Sequence, residues 1–140
     1  MKMKEISEEM VEINKNIKIK IIRKSREFRE LDFSHFRFSI NIEIYKKDVL
    51  PKIGYMHIVS NNFREKEAVA FIIDFIIEEK YRDFGTGTLV LQKVLDWLKD
   101  KDIVLIFGAV DGVKDNKALA KKFYVKNGFT LIEDKIIKFL

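Results

Sequence analysis

The sequence predicts an α/β (α+β) domain built on a mixed, mostly antiparallel central sheet with helices on both faces. Three observations predict it. The first half holds segments of two-residue apolar alternation, the second half holds two nearly unbroken apolar runs at 68–77 and 103–110, and a segment of helical period joins those runs. Alternation marks strands with one wet face. Unbroken apolar runs mark strands covered on both faces, and a strand–helix–strand unit makes its two strands parallel. At 140 residues the chain is expected to form a single domain, 1–140.

The elements follow in order. Ser7 to Asn14 (SEEMVEIN) reads as a short helix, with Ser7 as cap and Met10 and Ile13 on one side. Ile17 to Arg23 (IKIKIIR) alternates and reads as a strand. From Phe36 the side chains of Phe36, Phe38, Ile40, Ile42 and Ile44 point one way and Arg37, Ser39, Asn41 and Glu43 the other, giving a half-buried strand. KKDVLP is a turn, Ile53 to Val59 returns as the second arm of a hairpin, and SNNFREKE turns again. Ala68 to Ile77 is apolar on both faces except at Asp74, as in a strand at the middle of a sheet. In TGTLVLQKVLDWLKDK, Leu91, Val94, Leu95 and Leu98 recur at helical spacing, with Gln92, Lys93, Asp96 and Lys99 outside. Ile103 to Val110 is the second buried strand, and DGVKDN is a loop. Asn116 to Lys126 is a helix closed by Asn127-Gly128, a pair suited to a left-handed cap. TLIEDKIIKFL supplies one or two short final strands.

Composition narrows the chemistry. Cysteine is absent, which excludes disulfides, thiol catalysis and cysteine-based metal sites. Neither H-x-E nor HExxH occurs, so no metal is expected. No apolar stretch reaches membrane-spanning length, and MKMKEISEEM lacks the apolar block of a secretory signal, so a cytoplasmic protein with no membrane partner is expected. The net charge of +5 suits a phosphate-bearing partner, whether nucleic acid, nucleotide or phosphorylated cofactor. The lysines are scattered, however, and equally suit an ordinary solvated surface.

The segment YRDFGTG, residues 81–87, joins a strand to an amphipathic helix. The first amides of such a helix lack partners within it and carry the positive end of its dipole, so a phosphate fits there. Side chains at Gly85 or Gly87 would hold phosphate oxygens away from the backbone, and Arg82 can add charge at the rim. The spacing matches neither the GxxxxGK[ST] loop nor a dinucleotide GxGxxG.

Tyr81-Arg82-Asp83-Phe84-Gly85-Thr86-Gly87, placed after Phe75-Ile76-Ile77, resembles the acetyl-coenzyme A signature of the GCN5-related N-acetyltransferase (GNAT) family. Phe123-Tyr124-Val125-Lys126-Asn127-Gly128-Phe129 is similar to that family's later motif, an aromatic-Tyr pair followed by Gly-Phe. The resemblance implies the family's acyltransferase fold and acetyl-CoA as co-substrate. It implies that the amides of Asp83, Phe84, Gly85, Thr86, Gly87 and Thr88 cradle the pyrophosphate, with Arg82 beside them. The backbone of Phe75, Ile76 and Ile77 would pair with the pantetheine arm, and an amide near Ile77 would polarise the thioester carbonyl. Tyr124 would return a proton to the leaving thiolate. The family's asparagine seven residues before that tyrosine is not matched. Position 117 is Lys117 and the asparagine is Asn116, which either contacts coenzyme or only caps the helix. The stretch between Ile22 and Phe36 is too short for the two helices that the family places there, so the acceptor site is either open or completed by a second subunit, as in a homodimer.

Asp74 stands three residues before Ile77. Aminolysis of a thioester needs a neutral amine, and Asp74 either orients the ammonium or accepts its proton, directly or through water, or is a buried carboxylate satisfied by backbone amides or a structural ion pair. His35 and His57 read as strand residues, and Glu78 and Glu79 as solvent-facing. The aromatics Phe28, Phe33, Phe36 and Phe38 among Arg23, Arg26, Arg29 and Arg37 follow no RNA-binding pattern, so nucleic acid is not the expected partner. The expected activity is N-acetyl transfer from acetyl-CoA to a primary amine, on a small molecule or a peptide, by direct attack. The alternatives are a non-catalytic acyl-CoA-binding regulatory module, or an acetyltransferase acting on protein, ribosomal or tRNA-borne amines.

Overall fold

The structure, a computed structural model, describes residues 6–25, 38–61, 68–110 and 117–140, with the side chains of Ile6, Asp83 and Phe84 left aside. Among them eight strands form one sheet, in the order β1-β2-β3-β4-β5-β6-β8-β7. The strands are β1 (Ile6–Glu12), β2 (Ile17–Ser25), β3 (Phe38–Lys46), β4 (Gly54–Ser60), β5 (Ala68–Ile77), β6 (Ile103–Ala109), β7 (Thr130–Ile132) and β8 (Lys135–Phe139). Two helices, α1 (Thr86–Asp100) and α2 (Lys117–Lys126), and a 3₁₀ turn (Glu79–Phe84) complete the described chain. Only β5 and β6 pair in parallel; every other pair is antiparallel.

The expected mixed sheet is therefore present, but the expected first helix is a strand. Residues 6–12 pair along β2 from Ile6↔Lys24 to Glu12↔Lys18. The turn chemistry of Asn14 outweighs the helical spacing of Met10 and Ile13. Its Oδ1 accepts hydrogen bonds from the amides of Asn16 and Ile17, both at 2.8 Å, and reverses the chain. Glu9 then reaches the indole of Trp97 on α1 at 3.1 Å, tying the edge strand to the helix.

Alternation in β2 to β4 builds the core. Ile19, Ile21, Ile40, Ile42, Ile44, Met56 and Ile58 are fully buried or nearly so and share one face of the sheet. Helix α1 contributes Val90, Leu91, Val94, Leu95 and Leu98 to the same core, at the spacing that the sequence announces.

Helix α2 ends as Asn127-Gly128 predicts. Gly128 takes φ +88°, its amide bonds the Val125 carbonyl, and the Phe129 amide bonds that of Tyr124, both at 3.0 Å. The β7–β8 turn then latches onto this helix, because Asp134 accepts from Lys117 at 2.6 Å and from Lys121 at 2.7 Å. These hydrogen bonds hold the Asp134 carboxyl below its ordinary range. A carboxylate whose folded pKa is lowered stabilises the fold above its unfolded pKa, and that contribution is lost as pH falls through the folded value. The difference in melting temperature between the wild-type chain and Asp134→Asn should therefore be present at neutral pH. It should close as pH falls below the ordinary carboxylate range, which a pH series of thermal unfolding measures.

Candidate active site

The site is built where β5 leaves β6. The parallel ladder runs from Ala68↔Ile103 to Ile72↔Gly108 and stops, although β5 continues to Ile77. Past Ile72, β5 is bonded only to β4. Its other edge has no strand beside it among the described residues, which leaves backbone donors and acceptors there without strand partners. This corrects the expectation of a strand covered throughout: Ile73 is 42% exposed and Ile76 44%.

A bulge marks the parting. His57↔Asp74 and Ile58↔Ile72 are successive pairs between β4 and β5, so Ile73 is the extra residue. The bulge reverses the alternation. Ala68, Ala70 and Ile72 face the core, and so do Phe75 and Ile77. Asp74 would join them on strict alternation but is turned to the opposite face. The expected buried carboxylate is thus an exposed one. Among the described residues it has no hydrogen bond or ion pair, so the structural ion pair is not made.

At the end of β5 the chain makes the 3₁₀ turn and enters α1. Arg82 Nε donates to the Ile77 carbonyl at 2.6 Å, which closes the turn on the strand end. The guanidinium, expected only at the rim, has this positioning bond as well. Gly85 lies at φ +71°, a left-handed conformation that carries the chain from the turn into the helix. A Cβ there would meet no atom within 4 Å, so the space over the turn is open. No side chain caps α1 and no acidic residue lies in its first turn. The Leu89 amide is the first to bond back, to the Gly85 carbonyl at 3.1 Å, which leaves the amides of Thr86, Gly87 and Thr88 without helical partners. Glu78 and Glu79 are exposed, as expected.

Gly87 carries a constraint beyond the one the sequence suggests. A Cβ at Gly87 would fall 3.2 Å from Cε1 of Phe123, so this glycine admits the Phe123 ring. That ring also meets Phe75 edge-on, with centroids 5.9 Å apart, and fills the floor between α2 and the diverging strand. Asn127 completes the join between the helices. Its Oδ1 accepts from Gln92 at 3.0 Å, its Nδ2 donates to the Phe123 carbonyl at 2.8 Å and lies 3.5 Å from Thr88 Oγ1, and it is almost fully buried. Sequence reading gave Asn127 only a cap role. The one signal available was an amide residue beside Gly128 with a polar Gln92 on the facing helix.

Tyr124 is 8% exposed and packs against Phe123 and Phe129 at centroid distances of 5.3 and 5.2 Å. Burial pushes its hydroxyl pKa up to about 12, because the phenolate would lose water's solvation. A shallow pocket of about 180 Å³ opens beside Thr86 and Leu89, bordered by Asn14, Asn16, Lys46 and Tyr81. It is smaller than the roughly 300–1,000 Å³ usual for ligand sites. Asn116, His35, Phe36 and the basic-aromatic stretch 26–37 lie outside the described residues. Of that stretch's neighbours, Arg23 stacks over Phe38 at 5.5 Å. A metal-holding group of His, Cys, Asp and Glu is absent among the described residues, and no described helix is long and apolar enough to cross a membrane.

The fit of Gly87 to Phe123 is measurable. Gly87→Ala should destabilise by about 1–3 kcal/mol through overpacking, less whatever helix propensity returns. Phe123→Leu in the same chain should recover part of that loss. A double-mutant cycle by urea unfolding reads the coupling, and strictly additive effects would remove the ring as the constraint.

The sequence profile of the acetyltransferase (GNAT) family matches residues 8–129. No curated protein matches the sequence. Solved structures share the fold. Arabidopsis thaliana Naa50, in complex with the bisubstrate analogue CoA-Ac-MVNAL, is 20% identical with a TM-score of 0.56, over 70% of this chain and 71% of that one. A GNAT-family acetyltransferase from Streptococcus pneumoniae is 16% identical with a TM-score of 0.57, over 73% of this chain and 67% of that one. The PaiA N-acetyltransferase from Thermoplasma acidophilum, in complex with coenzyme A, is 17% identical with a TM-score of 0.54, over 69% and 57%. With an open half-strand leading into an uncapped helix, and with the family profile covering most of its length, the chain belongs to the GNAT acetyltransferase family and is an acyltransferase.

Proposed function

We infer that the protein transfers an acetyl group from acetyl-CoA to a primary amine of a small molecule or peptide. The observation that carries this reading is the continuity of two features: the unpaired edge of β5 past Ile72 and the uncapped amides of Thr86, Gly87 and Thr88. The residues fit the coenzyme. Those amides suit an anion, the space over Gly85 is open, and no carboxylate in the first turn of α1 would repel a pyrophosphate. Asp83, Phe84 and Gly85 would present backbone to the same group, with Arg82 anchoring the turn. Phe75, Ile76 and Ile77 would hold the pantetheine arm by strand-like hydrogen bonds on the open edge. Acetyl-CoA supplies an activated acyl thioester when bound.

The chain's own groups divide the remaining work. An amide of the bulged segment, where β5 has no second neighbour, would polarise the acyl carbonyl. Asp74, exposed beside the bulge, would hold the acceptor as its ammonium. Tyr124 would act on the leaving sulfur as a hydrogen-bond donor. An ordinary thiol titrates near 8.5, about 3.5 units below the tyrosine at about 12, so full proton transfer from Tyr124 would be uphill by roughly 5 kcal/mol. A neutral hydroxyl pointing at developing negative charge needs no transfer.

Two substitutions test the reading. Gly85→Glu should abolish coenzyme A binding by calorimetry, whereas Gly85→Asn, which tolerates the left-handed backbone, should retain it. Equal binding in both would remove the cradle. Tyr124→Phe should lower turnover in a thiol-release assay by roughly 10- to 100-fold with coenzyme affinity unchanged; unchanged turnover would exclude the tyrosine from the reaction.

A further inference from the structure

Helices α1 and α2 meet at two places. One contact is apolar: the Phe123 ring lies 3.2 Å from where a Cβ at Gly87 would stand. The other is polar. Thr88 and Gln92 are four residues apart on α1 and share a face of that helix. Both reach Asn127, just past the end of α2, with Gln92 Nε2 3.0 Å from Oδ1 and Thr88 Oγ1 3.5 Å from Nδ2. The orientation of this carboxamide is determined. Its Nδ2 donates to the Phe123 carbonyl at 2.8 Å, which only an N–H can do, so Oδ1 is left to accept from Gln92. The Asn127 main-chain amide bonds the carbonyls of Phe123 and Tyr124 at 3.1 and 3.0 Å. Lys138 of β8 donates to the Asn127 carbonyl at 3.2 Å. Asn127 is thus bonded to Tyr124 directly and to α1 through Gln92.

We propose that Gln92, acting through Asn127, is a positioning residue for the reaction: it holds Tyr124 in register with the anion-binding turn of α1, so that turnover depends on it and coenzyme affinity does not. The role rests on the acetyltransferase reading above. The two contacts between the helices constrain different motions. Packing of a ring on backbone sets how closely the helices approach, but dispersion is not directional and the ring can slide. A hydrogen bond is directional, so the Gln92–Asn127 bond fixes the rotation and axial position of α2 against α1. Slip by one helical residue moves an atom by about 1.5 Å, and a misplacement of about 1 Å can cost roughly 100-fold in rate. Gln92 is exposed on the second turn of α1, one turn beyond the amides of Thr86, Gly87 and Thr88. Coenzyme binding at those amides needs only the first turn and the Gly85 conformation. The Tyr124 hydroxyl stands on α2, and its place relative to a thioester along β5 would follow from how α2 docks. Without the Gln92 donor the Phe123–Gly87 contact and the Asp134 latch still hold α2 on the domain, but its register is no longer pinned.

The test uses the full chain. Gln92→Met keeps the length and helix-forming character of the side chain and removes its donor. Coenzyme A affinity is measured by calorimetry. Thiol release from acetyl-CoA is followed with a panel of primary alkylamines and peptide N-termini, in the wild-type and Tyr124→Phe backgrounds. Gln92→Met should lower kcat by roughly 3- to 10-fold in the wild-type background, with the Kd for coenzyme A within about 2-fold. In the Tyr124→Phe background the same substitution should cost nothing further, because the hydroxyl it would misplace is already absent. Unchanged turnover in Gln92→Met, an equal loss with and without the Tyr124 hydroxyl, or a fall in coenzyme affinity that matches the fall in turnover each overturns the positioning role and leaves the acetyltransferase reading standing. No thiol release by the unsubstituted protein with any acceptor overturns that reading and the positioning role with it.

Discussion

The parting of β5 from β6 after Ile72 is the constraint on which the rest of the molecule depends. A strand in the middle of a sheet is satisfied on both edges and has nothing to offer a ligand. Here the sheet stays continuous through β4, while the second half of β5 loses its other neighbour. Unpaired backbone groups are costly when dry, and an edge without a strand neighbour leaves them available to water or to an extended ligand arm. The bulge at Ile73 makes the change of direction local, so the core below it is undisturbed and Ala70, Ile72 and Ile106 remain buried.

The helices pack beside the free half of β5. The Phe123 ring meets Phe75 edge-on and occupies the space that a side chain at Gly87 would need. Asn127 reaches α1 through Gln92 and Thr88 while it bonds its own helix at Phe123. The Asp134 latch fixes α2 from its far side. The open end of α1, the Phe75–Phe123 contact and the buried Tyr124 are thus one packed unit. The anion cradle and the sulfur-facing hydroxyl of the proposed reaction are set by the same contacts.

Much of this was legible before any coordinates. The alternation in β2 to β4, the period of α1, the Asn127-Gly128 cap and the parallel β5–β6 unit all follow from local chemistry that tertiary structure did not override. So did the strand–turn–helix setting of Gly85. Residues 6–12 were misread because the helical spacing of two apolar residues was weighed above the turn chemistry of Asn14, and an edge strand carries little apolar signal of its own. Gly87 was read only as a phosphate contact, and its second constraint, a ring from a helix that begins thirty residues later in the chain, was not visible in the sequence.

Asp74 shows most directly where residue order runs out. Counting by twos from Ala68 puts it among the core residues, and a carboxylate there would need a buried partner. One extra residue at the bulge moves it to the open face beside His57 and removes that need. The residue pattern was enough for the family, the elements after β1 and the strand–turn–helix setting of Gly85, because periodicity, caps and glycine turns act over a few neighbouring residues. Which face Asp74 joins, what Gly87 admits, and which side chains meet across β3, β4 and β5 were settled only on assembly. Register and bulges depend on how separate strands pair, and no single strand encodes its partner's alignment.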